Sequence, residues 1–280
     1  MRTKPAKTRK DYDAALALVS KHVLKDGRTF GSLSVSSITP GAVDRLHDKL
    51  KAKPGGGERG RTAAGALRIC RRAWNVAWRI NRDEVPSTNP FAKMDLSHKA
   101  KPTRPVTHAE LLRFVTAADA GGEQSIGTAA MIAFYWLQRE TDIISRLSWT
   151  HYRPLDAPDV VRIVHHKTHE LVDLPLVDDD GTQLWRELTA RLDRALKTGT
   201  LIVTRDKPDR RRKVHLPWRE DYFRNRVAAI REAADIDAEV KFMGLRHGGL
   251  QQYFPKGTDL SAHSDAPLTT SQASSTSALA

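Results

Sequence analysis

From Ala92 to Pro105 the sequence reads A-K-M-D-L-S-H-K-A-K-P-T-R-P, polar, basic and interrupted by Pro102 and Pro105. So little apolar surface cannot bury itself, and each proline removes a backbone donor, so no helix or strand runs through this stretch. It separates two parts whose apolar residues do recur with regular periods. The expectation is therefore two domains, residues 1–102 with most of this linker and residues 103–258, and then a tail at 259–280. A length of 280 residues accommodates that division.

The first part reads as a helical bundle. Residues 1–10 hold five Lys/Arg and no acid, as a nucleic-acid-tracking arm or a solvated tail would. From Asp11, Tyr12, Ala15, Leu16, Val19 and Val23 follow helical spacing. A second helix is expected near Gly41–Lys51, capped by Thr39 and opened by Pro40. Pro54-Gly55-Gly56-Gly57 ends it. A longer helix is expected from about Thr62 to Asn81, with Ala66, Ile69, Cys70, Trp74, Ala77 and Trp78 inward. Arg68, Arg71, Arg72 and Arg79 lie largely on its other faces, either as a row along a phosphate backbone or as ordinary solvated helix formers.

Charge and cysteine content narrow the partners. With 46 Lys+Arg against 33 Asp+Glu, the net charge is +13 and the pI about 10.0, which favours a polyanion such as nucleic acid. No segment approaches the ~18 apolar residues of a membrane span, and no apolar region follows the basic N-terminus as in a secretory signal. Cys70 is the one cysteine, so the chain forms no intrachain disulfide and no Cys-rich zinc site. A reducing, cytoplasmic setting is the expectation.

The second part reads as mainly α with a small antiparallel β-sheet, an α+β fold. Thr107 and Glu110 form a capping-box start, with Leu111, Leu112, Phe114 and Val115 as the core face. The next helix carries Ile126, Ala130, Ala133, Phe134 and Leu137 as a stripe and leads to Arg139 and Asp142 in W-L-Q-R-E-T-D-I-I-S-R-L-S-W. Val160–His165 and Leu171–Leu176 alternate and are β-branched, predicting a hairpin about Lys167-Thr168-His169-Glu170. His165 and His166 flank it, but no further ligand stands at metal spacing, so no metal is expected. An amphipathic helix is expected over Asp178–Lys197, with Leu184, Trp185, Leu188, Leu192 and Leu196 inward, and a short strand at Leu201–Val203. Arg205 to Lys213 holds six basic residues, Arg210, Arg211, Arg212 and Lys213 among them, against two Asp: a phosphate grip or a solvated loop. A helix over Trp218–Ala234, with Tyr222, Phe223, Val227 and Ile230 buried, delivers the chain to F-M-G-L-R-H-G-G, Phe242–Gly249. Arg246 there offers a planar fork of donors suited to two oxygens of one phosphate, with His247 beside it.

An Arg in a helix (Arg139), a Lys in a hairpin (Lys167) and an Arg in L-R-H (Arg246), in this order, resemble the catalytic domain of tyrosine recombinases, the phage integrase family. The T-x-x-E-L opening at Thr107 fits the family, and the helical bundle closing on Asn89-Pro90 looks like its core-binding domain. The resemblance implies double-stranded DNA as partner, DNA integration or recombination by a mobile element as activity, a homo-oligomer on paired sites, and no cofactor, because a phosphotyrosyl link conserves the bond energy. It implies that Arg139 and Arg246 neutralise the phosphorane and that Lys167 protonates the leaving 5′ oxygen.

The sequence departs from the family pattern at its C-terminal end. Met243 stands where the first His belongs, and methionine moves no proton. His263 is where the third His would be sought, yet too few residues follow Asp259 for the helix that should precede it. Of residues 264–280, twelve of seventeen are Ser, Thr or Ala, too little apolar surface to fold, and the last tyrosine is Tyr253. A truncated or frame-shifted relative is implied. The expectation is DNA binding that outlasts cleavage, or a non-catalytic regulator or competitor at recombination sites.

Overall fold

The computed structural model describes residues 6–98, 102–164 and 170–253. Two compact units form, Met1–Lys101 and Pro102–Ala280. Lys167, His165 and His166, and His263 with the tail, lie outside the described residues, as do residues 1–5 of the basic arm.

In the first unit α1 spans Ala6–Ser20, α2 Pro40–Lys51 and α3 Gly60–Ile80. Residues 6–10 form the largely exposed opening of α1, whose one buried residue is Val19. Thr39 caps α2 by accepting from the Ala42 N–H at 3.3 Å, and Pro40 takes the first position, where its missing donor costs nothing. Gly55, Gly56 and Gly57 all take positive φ, turning the chain between α2 and α3. Both α1 and α2 pack on α3, so two of its faces are covered. Ala63, Ala64 and Leu67 therefore join Ala66, Cys70 and Trp74 in the core, while Ile69, Ala77 and Trp78 stay half-buried.

The second unit is built round α5, Gln124–Tyr135, in which every residue from Ile126 to Tyr135 is buried. The expected single stripe is corrected to a helix covered all round: α4 (His108–Ala120), α6 (Glu140–Ser145), α7 (Arg186–Arg194) and α9 (Met243–Tyr253) pack on it. Thr107 and Glu110 form the expected capping box of α4. Leu112 is exposed, outside the buried face formed by Leu111, Phe114, Val115 and Ala118. Strands β1, Val160–Val164, and β2, Leu171–Pro175, pair antiparallel with Val160 opposite Pro175 and Val164 opposite Leu171.

Two expected elements differ. The helix over Asp178–Lys197 shrinks to α7, because the Asp178 carboxylate accepts from the Asp180 and Thr182 N–H groups and folds 178–182 into a turn. Trp185 then enters in the left-handed region, and Leu196 lies beyond the helix in solvent. Leu201–Val203 makes only an isolated bridge to Ser148. The helix α8 spans Glu220–Ala233, buries Phe223, Val227 and Ile230, and leaves Tyr222 exposed.

Candidate nucleic-acid interface

Arg139 sits at a corner. After α5 ends at Tyr135, Leu137 takes φ +55° and the buried Gln138 side-chain amide donates to the Trp136 carbonyl, so the chain turns within four residues. Arg139 itself is extended and half-buried, the residue before α6 and not within a helix as the sequence suggested. The bend at Leu137 supplies the reason, since it ends α5 before the basic residue is reached. Glu140 and Asp142 occupy the first turn of α6, where acidic groups suit the helix dipole. Asp142 is 3% exposed and has Arg146 Nε at 3.9 Å.

Arg246 is carried by a helix that only glycines could seat. A β-carbon on Gly248 would lie 1.9 Å from the Val106 carbonyl oxygen, and one on Gly244 2.5 Å from that of Arg104. On Gly249 it would meet the Phe134 carbonyl and the Leu137 side chain. These residues let α9 approach backbone directly, and the Val106 N–H donates to the Gly244 carbonyl at 2.9 Å. Arg246, half-buried, lies one helical turn before Gly249. The packing thus seats the Arg246 helix on the C-terminal end of α5 and against Leu137, two residues before Arg139. The spacing G-x-x-x-G-G in the sequence carries the signal for this contact, alongside its Arg and His.

The neighbouring groups complete the electrostatics. His247 is solvent-accessible, yet crowding by the surrounding protein and then the charge of Arg246 hold it below the usual imidazole range. Met243 is exposed at the start of α9. The flank of α6 faces β1 across a small cavity lined by Gln138, Asp142, Arg146, His151, Ile163 and Val164, so the C-terminal end of β1 lies beside α6 and Gln138. Burial, and then Arg162, depress the His151 pKa.

The other basic residues divide by what they touch. In the first unit Arg68 donates to the Leu96 carbonyl, and Arg71 to those of Phe91 at 2.7 Å and Met94 at 3.3 Å. These two staple the segment after α3 onto the helix. Arg72 and Arg79 face solvent. In the second unit Arg210, Arg211, Arg212 and Lys213 are exposed on one tight turn. Asp209 accepts from the Arg211 and Arg212 N–H groups at 3.1 and 2.8 Å, and the Lys213 N–H donates to the Asp209 carbonyl. Those backbone donors, Arg212 first, hold the Asp209 carboxyl below its ordinary value, with burial opposing. Among the described residues no carboxylate lies within ion-pair distance of these four cations, no cluster of three His, Cys, Asp or Glu could hold a metal, and no helix is long and apolar enough to cross a membrane.

No protein-family model and no curated protein matches the chain. Solved structures do. A lambda integrase dimer bound to a COC′ core site aligns with TM-score 0.70 at 18% identity, covering 96% of this chain and 90% of that one. A lambda integrase tetramer bound to a Holliday junction aligns with TM-score 0.68 at 17% identity, covering 94% and 71%. The Tn1549 transposon integrase in complex with transposon right end DNA aligns with TM-score 0.67 at 12% identity, covering 98% and 93%. At such identities the likeness is one of fold: this chain has the integrase-like α+β architecture.

Proposed function

We propose that this chain binds double-stranded DNA as a protein of the tyrosine-recombinase type and holds a backbone phosphate between Arg139 and Arg246. The observation that supports the reading is the glycine-seated contact of α9 on the end of α5 and on Leu137, two residues before Arg139. Two guanidinium forks there suit a phosphodiester, each able to donate twice. Lys167, which follows β1 in the sequence, would join them. Residues 1–102 would serve as the second, clamping half, with Arg72 and Arg79 toward phosphate. Lambda integrase has been solved as a dimer and as a tetramer on DNA, which supports a homo-oligomer of this chain on its site.

Strand cleavage is not expected of this chain. Residues 254–280 hold no tyrosine, and Met243 replaces an acid-base group with a thioether. Occupation of a recombination site without cutting is the activity that remains, and it would make the protein a competitor at such sites.

The test is incubation with nicked suicide substrates carrying candidate attachment sites, run on native and denaturing gels. A native shift abolished by Arg139→Ala together with Arg246→Ala, without a denaturation-resistant band, is the expected result. A covalent adduct would overturn the non-cleaving part, and Tyr253→Phe would then show whether that residue forms it. A shift indifferent to both arginines would sink the phosphate assignment.

A further inference from the structure

The helix α8 touches both arginine-bearing segments through adjacent residues. Arg224 donates from Nε to Glu140 Oε1 at 2.8 Å, and Glu140 is the residue after Arg139. Phe223 packs edge-on against Phe242, ring centroids 5.2 Å apart, and Phe242 is the residue before α9, the helix of Arg246. Phe223 is fully buried, so α8 is anchored in the core while Arg224 reaches out from its next position. Arg224 also meets Glu220 one turn back at 3.4 Å, which orients the guanidinium along α8.

We propose that Arg224 is a positioning residue for phosphate binding: through Glu140 it fixes the start of α6, and hence Arg139, relative to the Arg246 helix. This rests on the reading of Arg139 and Arg246 as the phosphate-holding pair. The short α6 is anchored in the core by Ile143 and Ile144, while its first residue, Glu140, sits at the corner and is tied to α8 through Arg224. Glu140 is well placed to receive one, with its side chain only 18% exposed while that of Arg224 is 53% exposed. An ion pair with one partner so exposed adds little to global stability, and burying the carboxylate opposes the gain. Its consequence is geometric, since a shift of about 1 Å at a charged contact is enough to weaken binding severalfold. A merely structural pair would leave DNA affinity unchanged at matched stability.

A double-mutant cycle on the full chain separates these cases, using a duplex that the wild-type protein shifts and reading Kd and thermal unfolding together. Arg224→Ala should weaken DNA binding by about fivefold with a melting temperature within a few degrees of wild type. In an Arg139→Ala background the same change should add nothing, because it acts through Arg139. Exchange of the pair, Glu140→Arg with Arg224→Glu, should recover part of the affinity. Losses that simply add in both backgrounds, or an Arg224→Ala protein that binds as wild type, would overturn the proposal. If the wild-type protein shifts no duplex, the DNA-binding reading fails and takes this inference with it. A normal wild-type shift with no coupling removes only the inference.

Discussion

Gly249 rests on the carbonyl of Phe134 so closely that a β-carbon there would stand 1.9 Å from the oxygen. No side-chain rotation relieves that clash, because both sides of the contact are backbone. Gly249→Ala must separate α9 from α5, and a loss of roughly 3 kcal/mol or more is expected, beyond the usual cost of overpacking. Urea unfolding measures it. Gly65→Ala, where α3 leaves open space for the added methyl, should instead be neutral or stabilising and serves as the control.

The cationic turn at 210–213 makes a salt-dependent prediction. Replacing Arg210, Arg211, Arg212 and Lys213 with Ser should flatten the slope of log K against log salt by about 0.9 for each phosphate contact removed. Asp209 holds the turn by accepting from its backbone and is retained in this variant. An unchanged slope would show that the turn faces water in the complex.

Arg71 and Arg79 should respond in opposite ways although both lie on α3. Arg71 holds two backbone carbonyls, so Arg71→Ala should lower stability by about 2 kcal/mol, the scale of charged hydrogen bonds lost from part-buried acceptors. Arg79→Ala should leave stability within about 0.5 kcal/mol and weaken DNA binding. Melting curves and gel shifts on the same two proteins decide it.

Two carboxylates should oppose each other in pH titrations of stability. Burial raises the Asp206 pKa, the two Ser125 hydrogen bonds resist, and Glu123 adds to the rise. A raised native pKa means that folding takes up a proton, so this contribution is present in acid and is lost as pH climbs above the ordinary 3.8. Relative to wild type, Asp206→Asn should therefore gain ground between about pH 4 and pH 7. For Glu110 burial alone would raise the pKa, but the Arg104 hydrogen bond and the Thr107 donors outweigh it, and the value is lowered. Its contribution is present above the ordinary 4.5 and is lost as pH falls, so Glu110→Gln should cost most at neutral pH and least in acid. Denaturant midpoints at the two ends of the range test both signs.

Elements whose cause is local were legible in the sequence. Thr39-Pro40 and the Thr107–Glu110 box cap their helices through contacts within three residues, and the alternation in 160–164 and 171–175 identifies two strands without further help. Basic composition pointed to a polyanion, and the order of Arg139, Lys167 and Arg246 pointed to the integrase-like architecture that the solved structures share. The Asp178 turn was local as well, but helical periodicity in 184–192 concealed it. Only tertiary structure decided the rest. Whether Arg71 grips Phe91 or a phosphate depends on where a segment twenty residues away returns. Whether α5 has one buried face or all of them depends on how many helices surround it. The seating of the Arg246 helix depends on glycines 244, 248 and 249 finding backbone at 104, 106 and 134, and the tie through Arg224 depends on α8 lying within reach of Glu140. Periodicity and capping arise between near neighbours in the chain. Close approach and ion pairing across more than eighty residues exist only once the core has collapsed and set the distances.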